Sequence, residues 1–187
     1  MRERRHYMAC LDLEGRSCLV VGAGPVGLEK AHGLLDCGAH VTVVSPKLVE
    51  GFDGLPVERI ERPYESSDLD GQLLVCAATD APEVNRRVYE DAEARSLLCN
   101  VADVPELCSF ILPAVYRRDP IAIGISTGGA SPVLAQRIRR DVAELVGPQH
   151  AELARRLRRL RPFAKRHYAT YEERRDFFRR LVEAELG

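Results

Sequence analysis

No apolar run in this chain of 187 residues approaches the roughly 20 that a membrane-spanning helix needs. The charged start, Met1 to His6, has no apolar stretch behind it and does not read as a signal peptide. The six cysteines, at 10, 18, 37, 76, 99 and 108, form no Cys-x-x-Cys pair and no metal-ligand spacing. Histidines at 6, 32, 40, 150 and 167 lack ligand spacing too, so no resident metal site is expected. Internal repeats and low-complexity tracts are also missing. These absences argue against a membrane protein, a disulfide-stapled scaffold and a zinc module. What remains is a soluble, cytoplasmic globular protein with reduced cysteines, of a length suited to one moderate domain plus an appendage.

Against that background, one segment stands out. An apolar, β-branched stretch, Cys18 to Val21, runs into Gly22-Ala23-Gly24-Pro25-Val26-Gly27, and a helix-compatible segment follows from Leu28 to Cys37. Strand, Gly-x-Gly-x-x-Gly and helix in this order form the context in which the glycines mark a dinucleotide site. Gly22 permits the tight turn, Gly24 lets backbone approach a pyrophosphate, and Gly27 lets helix and strand pack closely. The helix start offers unpaired N–H groups and a positive dipole end to phosphates. Gly38 to Val44 supplies a second strand. One usual part is missing. The second strand ends Val43-Val44-Ser45-Pro46-Lys47, without the acid that commonly holds the ribose 2′-hydroxyl. Ser45 could bond a ribose hydroxyl and Lys47 could tolerate a 2′-phosphate, so chemistry alone leaves NAD and NADP open.

Further along, Val57 to Arg62 alternates like a half-buried strand, and Glu65 to Asp68 reads as a turn. Leu73 to Ala78 suits a strand buried on both faces. Asp80, with Pro82 after it, can open a helix whose wet side carries Asn85, Arg86, Arg87 and Glu90. Leu97 to Val101 is the next strand, and the alternation predicts an α/β fold with a Rossmann-like, doubly wound parallel sheet. The rhythm then changes. Ser109 to Tyr116 and Ile121 to Ser126 read as strands flanking a turn at 117–120. Ser131 can cap a helix that begins at Pro132 and carries Leu134, Ile138, Val142 and Leu145 as its apolar stripe. Two more helices follow. The net charge of -1 hides an asymmetry: residues 137–187 carry +6 and the residues before them -7. The basic end suits an anionic ligand, nucleic acid or an acidic partner, or is simply a solvated face.

Ligands of such sheets bind at the carboxyl ends of the strands, which makes Thr79, Asp80, Asn100 and Asp103 candidates. Asp103 reads equally as a turn-forming residue. Several segments together resemble the siroheme synthase N-terminal module family, the precorrin-2 dehydrogenase / sirohydrochlorin ferrochelatase family. They are Val20 to Gly24, Val41 to Pro46, Ala77 to Asp80, Val84-Asn85, Cys99 to Asp103, Ser109 to Ala114, Ser126 to Ala135, Pro148 to His150, and Tyr168 to Thr170 with Glu173 to Arg175. The resemblance runs along nearly the whole chain.

That resemblance implies a homodimer with an NAD-binding Rossmann domain (1–113), a dimerisation segment of hairpin and helix (114–147), and a small helical C-terminal domain (148–187). It implies oxidation of the tetrapyrrole precorrin-2 to sirohydrochlorin with NAD⁺, and in part of the family insertion of Fe²⁺ through a transient metal contact. No nucleic acid or membrane partner is implied. Cofactor contacts carry over onto Gly22, Gly24, Pro25, Val26, Ser45, Pro46 and Lys47; Gly27, Thr79 and Asn100 complete the candidate site. The essential aspartate falls on Asp103, where a carboxylate can accept the proton lost on dehydrogenation. An arginine-rich end fits a substrate with eight carboxylates. Ser131 and His150 are candidate substrate contacts, against the plainer readings of an N-cap for Ser131 and of capping or surface position for His150. The chain stops at Gly187, where fused members continue into a methyltransferase, so no methylation of uroporphyrinogen is expected. Two other functions stay in view: an NAD-dependent dehydrogenase of another anionic substrate, and a nucleotide-sensing regulatory module.

Overall fold

A computed structural model describes residues 6–187; most of the charged start that argued against a signal peptide lies outside them. The chain divides into two compact units, 6–111 and 112–187. In the first, five parallel strands follow the order β3-β2-β1-β4-β5. They are β1 (Ser17–Ala23), β2 (His40–Leu48), β3 (Val57–Ile60), β4 (Leu74–Ala77) and β5 (Leu98–Val101). Successive side chains of β1 point to opposite faces, and both faces are covered. Cys18 and Val20 pack with Val41, Val43, Ala31 and Leu34, under α1 (Pro25–Leu35). Leu19 and Val21 pack with Val75, Ala77, Val88 and Ala92, under α2 (Pro82–Ala94). Central β1 is therefore apolar at every buried position, as a strand between two helical layers must be. Because β1 pairs with β2 on one side and β4 on the other, the strand order reverses beside it, and the crevice lies at their carboxyl ends.

Two local expectations change. Asp80 does not cap α2: the N-cap is Ala81, without a side-chain cap. Thr79 organises that entry instead, its Oγ1 donating to Asn85 Oδ1 at 2.7 Å and accepting from the Ala81 N–H at 3.2 Å. Asn85 is accordingly buried, not on the wet side; its Nδ2 donates to the Thr79 carbonyl at 3.0 Å. The segment expected as a turn at 65–68 forms a short 3-10 turn, Ser66–Leu69.

In the second unit, β6 (Ala114–Arg118) and β7 (Ile121–Ile125) pair antiparallel, with Tyr116 opposite Ile123. The ladder reaches Arg118, so the loop is shorter than the turn read at 117–120. Ser109–Pro113 is not strand. Ser109 is used to finish the edge of β5: its N–H donates to the Cys99 carbonyl at 2.8 Å, and its Oγ accepts from the Cys99 N–H at 2.7 Å. Three helices follow, α3 (Pro132–Leu145), α4 (Pro148–His167) and α5 (Tyr171–Leu186). Ser131 Oγ accepts from the Leu134 N–H at 3.1 Å, the expected N-cap. Thr170 and Glu173 form a reciprocal capping box on α5. Only Ala135 of α3 is buried; Val133, Leu134, Ile138 and Leu145 stay exposed. No helix among the described residues is long and apolar enough to cross a membrane.

Candidate cofactor site

A cleft of about 730 Å³ lies at the carboxyl ends of β1, β2 and β4. Its floor is Gly22–Val26, with Ser45–Lys47 on one side and Thr79–Ala81 on the other. The three fingerprint glycines do different work. Gly22 has φ +99°, and a Cβ there would lie 2.5 Å from the Ala78 carbonyl oxygen, so this position holds β1 against the end of β4. At Gly27 a Cβ would fall 2.0 Å from the Gly22 carbonyl oxygen, which fixes the close helix–strand approach. Gly24 meets nothing within 4 Å. The open space over Gly24 is where a pyrophosphate can lie against bare backbone, beside the α1 start. No acid stands in the first turn of α1, and Pro25 occupies the position whose N–H would be unpaired anyway. This cradle fits a dinucleotide phosphate pair.

On the β2 side, Ser45 is buried and its hydroxyl donates to the Lys47 carbonyl at 2.8 Å. That bond bridges Pro46, which has no N–H, across the irregularity where pairing shifts from Val21–Val44 to Ala23–Leu48. Ser45 thus shapes the strand end, and exposed Lys47 is left as the cation there. The lining also includes Pro63 and Tyr64, which the sequence reading passed over. Tyr64 is buried; its hydroxyl donates to Asp91 Oδ2 at 3.0 Å, and burial, then that bond, push its pKa above the usual phenol value. The signal was available: Pro63 and Tyr64 follow the third strand, at the same carboxyl edge as the candidates taken from the fourth and fifth.

Gly22, Gly24, Pro25, Val26, Ser45, Pro46, Lys47 and Thr79 come together around the cleft. Gly27 lies beneath, as packing. Asn100 is not part of the lining: it is buried and its Nδ2 donates to the Phe110 carbonyl at 3.0 Å. Asp103 sits in the turn after β5 with φ +59°, a conformation Asp tolerates better than most residues. The turn is anchored by Ala102, whose N–H donates to the Ala77 carbonyl at 2.9 Å, and by Cys108, whose sulfur accepts from the Val101 N–H at 3.2 Å. The Asp103 carboxylate is exposed and makes no ion pair among the described residues. Ser131 and His150 belong to the second unit. His150 is neither a cap nor a surface group: it is half-buried, and its buried Nδ1 has no hydrogen-bond partner among the described residues.

Burial raises the thiol pKa of Cys18 to about 11 and those of Cys76 and Cys99 to about 12, so these side chains are inert thiols. Among the described residues no group of three or more His, Cys, Asp or Glu could hold a metal ion.

Comparison with known proteins agrees with this geometry. Residues 9–114 match the family described as "Putative NAD(P)-binding", and residues 118–145 the one described as "Sirohaem biosynthesis protein central". A siroheme synthase of Methylobacillus flagellatus is 37% identical over 181 residues, covering 95% of this chain and 39% of that protein. One from Thioalkalivibrio sulfidiphilus is 41% identical over 177 residues, covering 92% of this chain and 36% of that protein. The chain thus spans under two fifths, about 39%, of the curated relatives' length. A solved structure titled "SirC, precorrin-2 dehydrogenase" superposes with TM-score 0.80 at 25% identity, covering 97% of this chain and 93% of that one.

Proposed function

The chain belongs to the NAD(P)-binding family that its first unit matches, and from that premise we propose that it oxidises precorrin-2 to sirohydrochlorin with NAD⁺. The observation that carries this reading is the likeness to a precorrin-2 dehydrogenase over nearly the full length of both chains, together with a glycine cleft that fits a dinucleotide. When bound, the nicotinamide supplies the hydride acceptor. Everything else falls to this chain's residues. Gly24 and the first turn of α1 hold the pyrophosphate, while Ser45 to Lys47 meet the ribose. Asp103, exposed on an anchored turn, takes the proton that leaves as the macrocycle is dehydrogenated; a carboxylate in that role is general-base chemistry. The basic helices of residues 148–187 attract the polycarboxylate substrate. Residues 114–147 form the dimerisation segment, whose α3 exposes Val133, Leu134 and Leu145 within one chain; a second copy covering them accounts for that exposure. A reducing cytoplasm suits six cysteines that are all outside disulfides.

The test is direct. Purified chain, NAD⁺ and enzymatically prepared precorrin-2 are mixed without oxygen, and NADH and sirohydrochlorin absorption are followed together. Stoichiometric appearance of both supports the reading. NADH formed only with a different anionic substrate, or nucleotide binding with no turnover, would replace it.

A further inference from the structure

Two charged residues beside the cleft, Arg62 and Asp68, bear on which nucleotide it accepts. Arg62 follows β3 by two residues, where the ladder with β2 ends at the Val44–Ile60 pair. Its neighbours Pro63 and Tyr64 line the cleft. The Arg62 guanidinium is already engaged by two groups, the Asp68 carboxylate and the Pro63 carbonyl. Nη2 donates to Asp68 Oδ1 at 2.6 Å and Nη1 to Asp68 Oδ2 at 2.9 Å, while Nη1 also reaches the Pro63 carbonyl at 2.9 Å. The Asp68 carboxylate is only 5% exposed, and its Oδ2 accepts in addition from the Glu65 N–H at 2.8 Å. Burial alone would raise the Asp68 pKa, but the Arg62 bonds and charge with the Glu65 N–H outweigh it and leave it low. Lys47, by contrast, enters no ion pair among the described residues.

The missing acid at the end of β2 leaves discrimination against a 2′-phosphate unexplained, because nothing there repels it. The geometry points to Asp68 as the residue that sets this specificity: by clamping Arg62 it withholds the second cation that a 2′-phosphate site would need beside Lys47. Arginine–phosphate recognition is strong where the guanidinium is free to form its paired bonds. A guanidinium paired with a buried carboxylate has its charge largely neutralised and the paired donors that would grip a phosphate already used. This inference rests on the proposed NAD⁺ preference and gives it a cause.

Asp68→Asn tests it, since the amide oxygen can still accept from the Glu65 N–H while the buried, two-point carboxylate grip on Arg62 is gone, leaving only the exposed Glu65 carboxylate at 4.0 Å. Dissociation constants for NAD⁺, NADP⁺ and adenosine 2′,5′-bisphosphate are measured by fluorescence titration, with no substrate present. The expected result is NAD⁺ affinity within about two-fold of wild type and NADP⁺ and bisphosphate affinity raised about ten-fold. The double variant Asp68→Asn/Arg62→Met should lose that gain. In an otherwise wild-type chain, Arg62→Met should leave the NADP⁺/NAD⁺ affinity ratio within two-fold; a fall in NADP⁺ binding would mean Arg62 already serves the phosphate and would overturn the proposal, even if Asp68→Asn does not fold. An unchanged ratio in folded Asp68→Asn overturns it as well while leaving the cofactor reading intact. Wild type binding neither nucleotide removes that reading and the proposal together.

Discussion

Replacing Gly22 and Gly24 separately by alanine should divide stability from cofactor binding. At Gly24 the backbone has φ -79° and ψ -172°, which alanine adopts freely, and an added Cβ meets nothing within 4 Å. The only folding cost is the poorer N-cap, at most about 1 kcal/mol. At Gly22 the same methyl must accept φ +99° and a position 2.5 Å from the Ala78 carbonyl oxygen. An unfavourable backbone region costs about 1–3 kcal/mol, and overpacking against a backbone atom that cannot swing aside about 1–3 more. Together they approach about 4 kcal/mol, a large part of a domain's usual stability. At about 4 °C per kcal/mol for a unit of this size, Gly22→Ala should melt more than ~10 °C lower, and Gly24→Ala within ~4 °C of wild type. NAD⁺ titration should reverse the emphasis: folded Gly24→Ala should lose at least ~10-fold in affinity, because its methyl occupies the space that bare backbone gives the pyrophosphate. Urea unfolding and isothermal titration on both variants measure the two effects. Gly24→Ala binding NAD⁺ within two-fold of wild type would refute the reasoning outright. So would Gly22→Ala unfolding at the wild-type urea midpoint.

Asp103→Ala should leave NAD⁺ affinity nearly unchanged, lower the melting temperature by only a few °C for the lost Asp preference at φ +59°, and lower dehydrogenase turnover at least ~100-fold; turnover within a few-fold of wild type would make Asp103 a turn residue only. Ser131→Ala removes the bond to the Leu134 N–H and should cost about 1 kcal/mol with an unchanged KM for precorrin-2. A raised KM at unchanged stability would instead put that hydroxyl on the substrate. The wild-type chain should sediment as a dimer at micromolar concentration. Charging the exposed α3 face with Leu134→Asp and Ile138→Asp should give a folded monomer, and a dimer surviving both changes would move the interface elsewhere.

Periodicity and glycine spacing made the parallel sheet and its glycine turn legible because those signals are local. A strand buried on both faces must be apolar throughout, as Leu73 to Ala78 is, and the turn of Gly22 to Gly27 tolerates few other residues. What escaped depends on where a side chain's partner ends up. Asn85 reads as a wet-side residue from helical spacing, yet it is buried because Thr79 turns back to meet it. Asn100 follows a strand as a cofactor ligand should, but the returning chain places the Phe110 carbonyl against its amide first. Ser45 shows the same competition at closer range: Pro46 leaves a gap in the ladder, and the serine hydroxyl is drawn to the Lys47 carbonyl to bridge it. Asn100 and Ser45, expected to serve a ligand, are thus engaged by the backbone, and Asn85, expected in solvent, is engaged by Thr79. The groups that line this edge without such a claim on them are the bare backbone at Gly24, the Lys47 ammonium and the exposed Asp80 carboxylate, while Asp103 stands on the turn after β5, outside the lining.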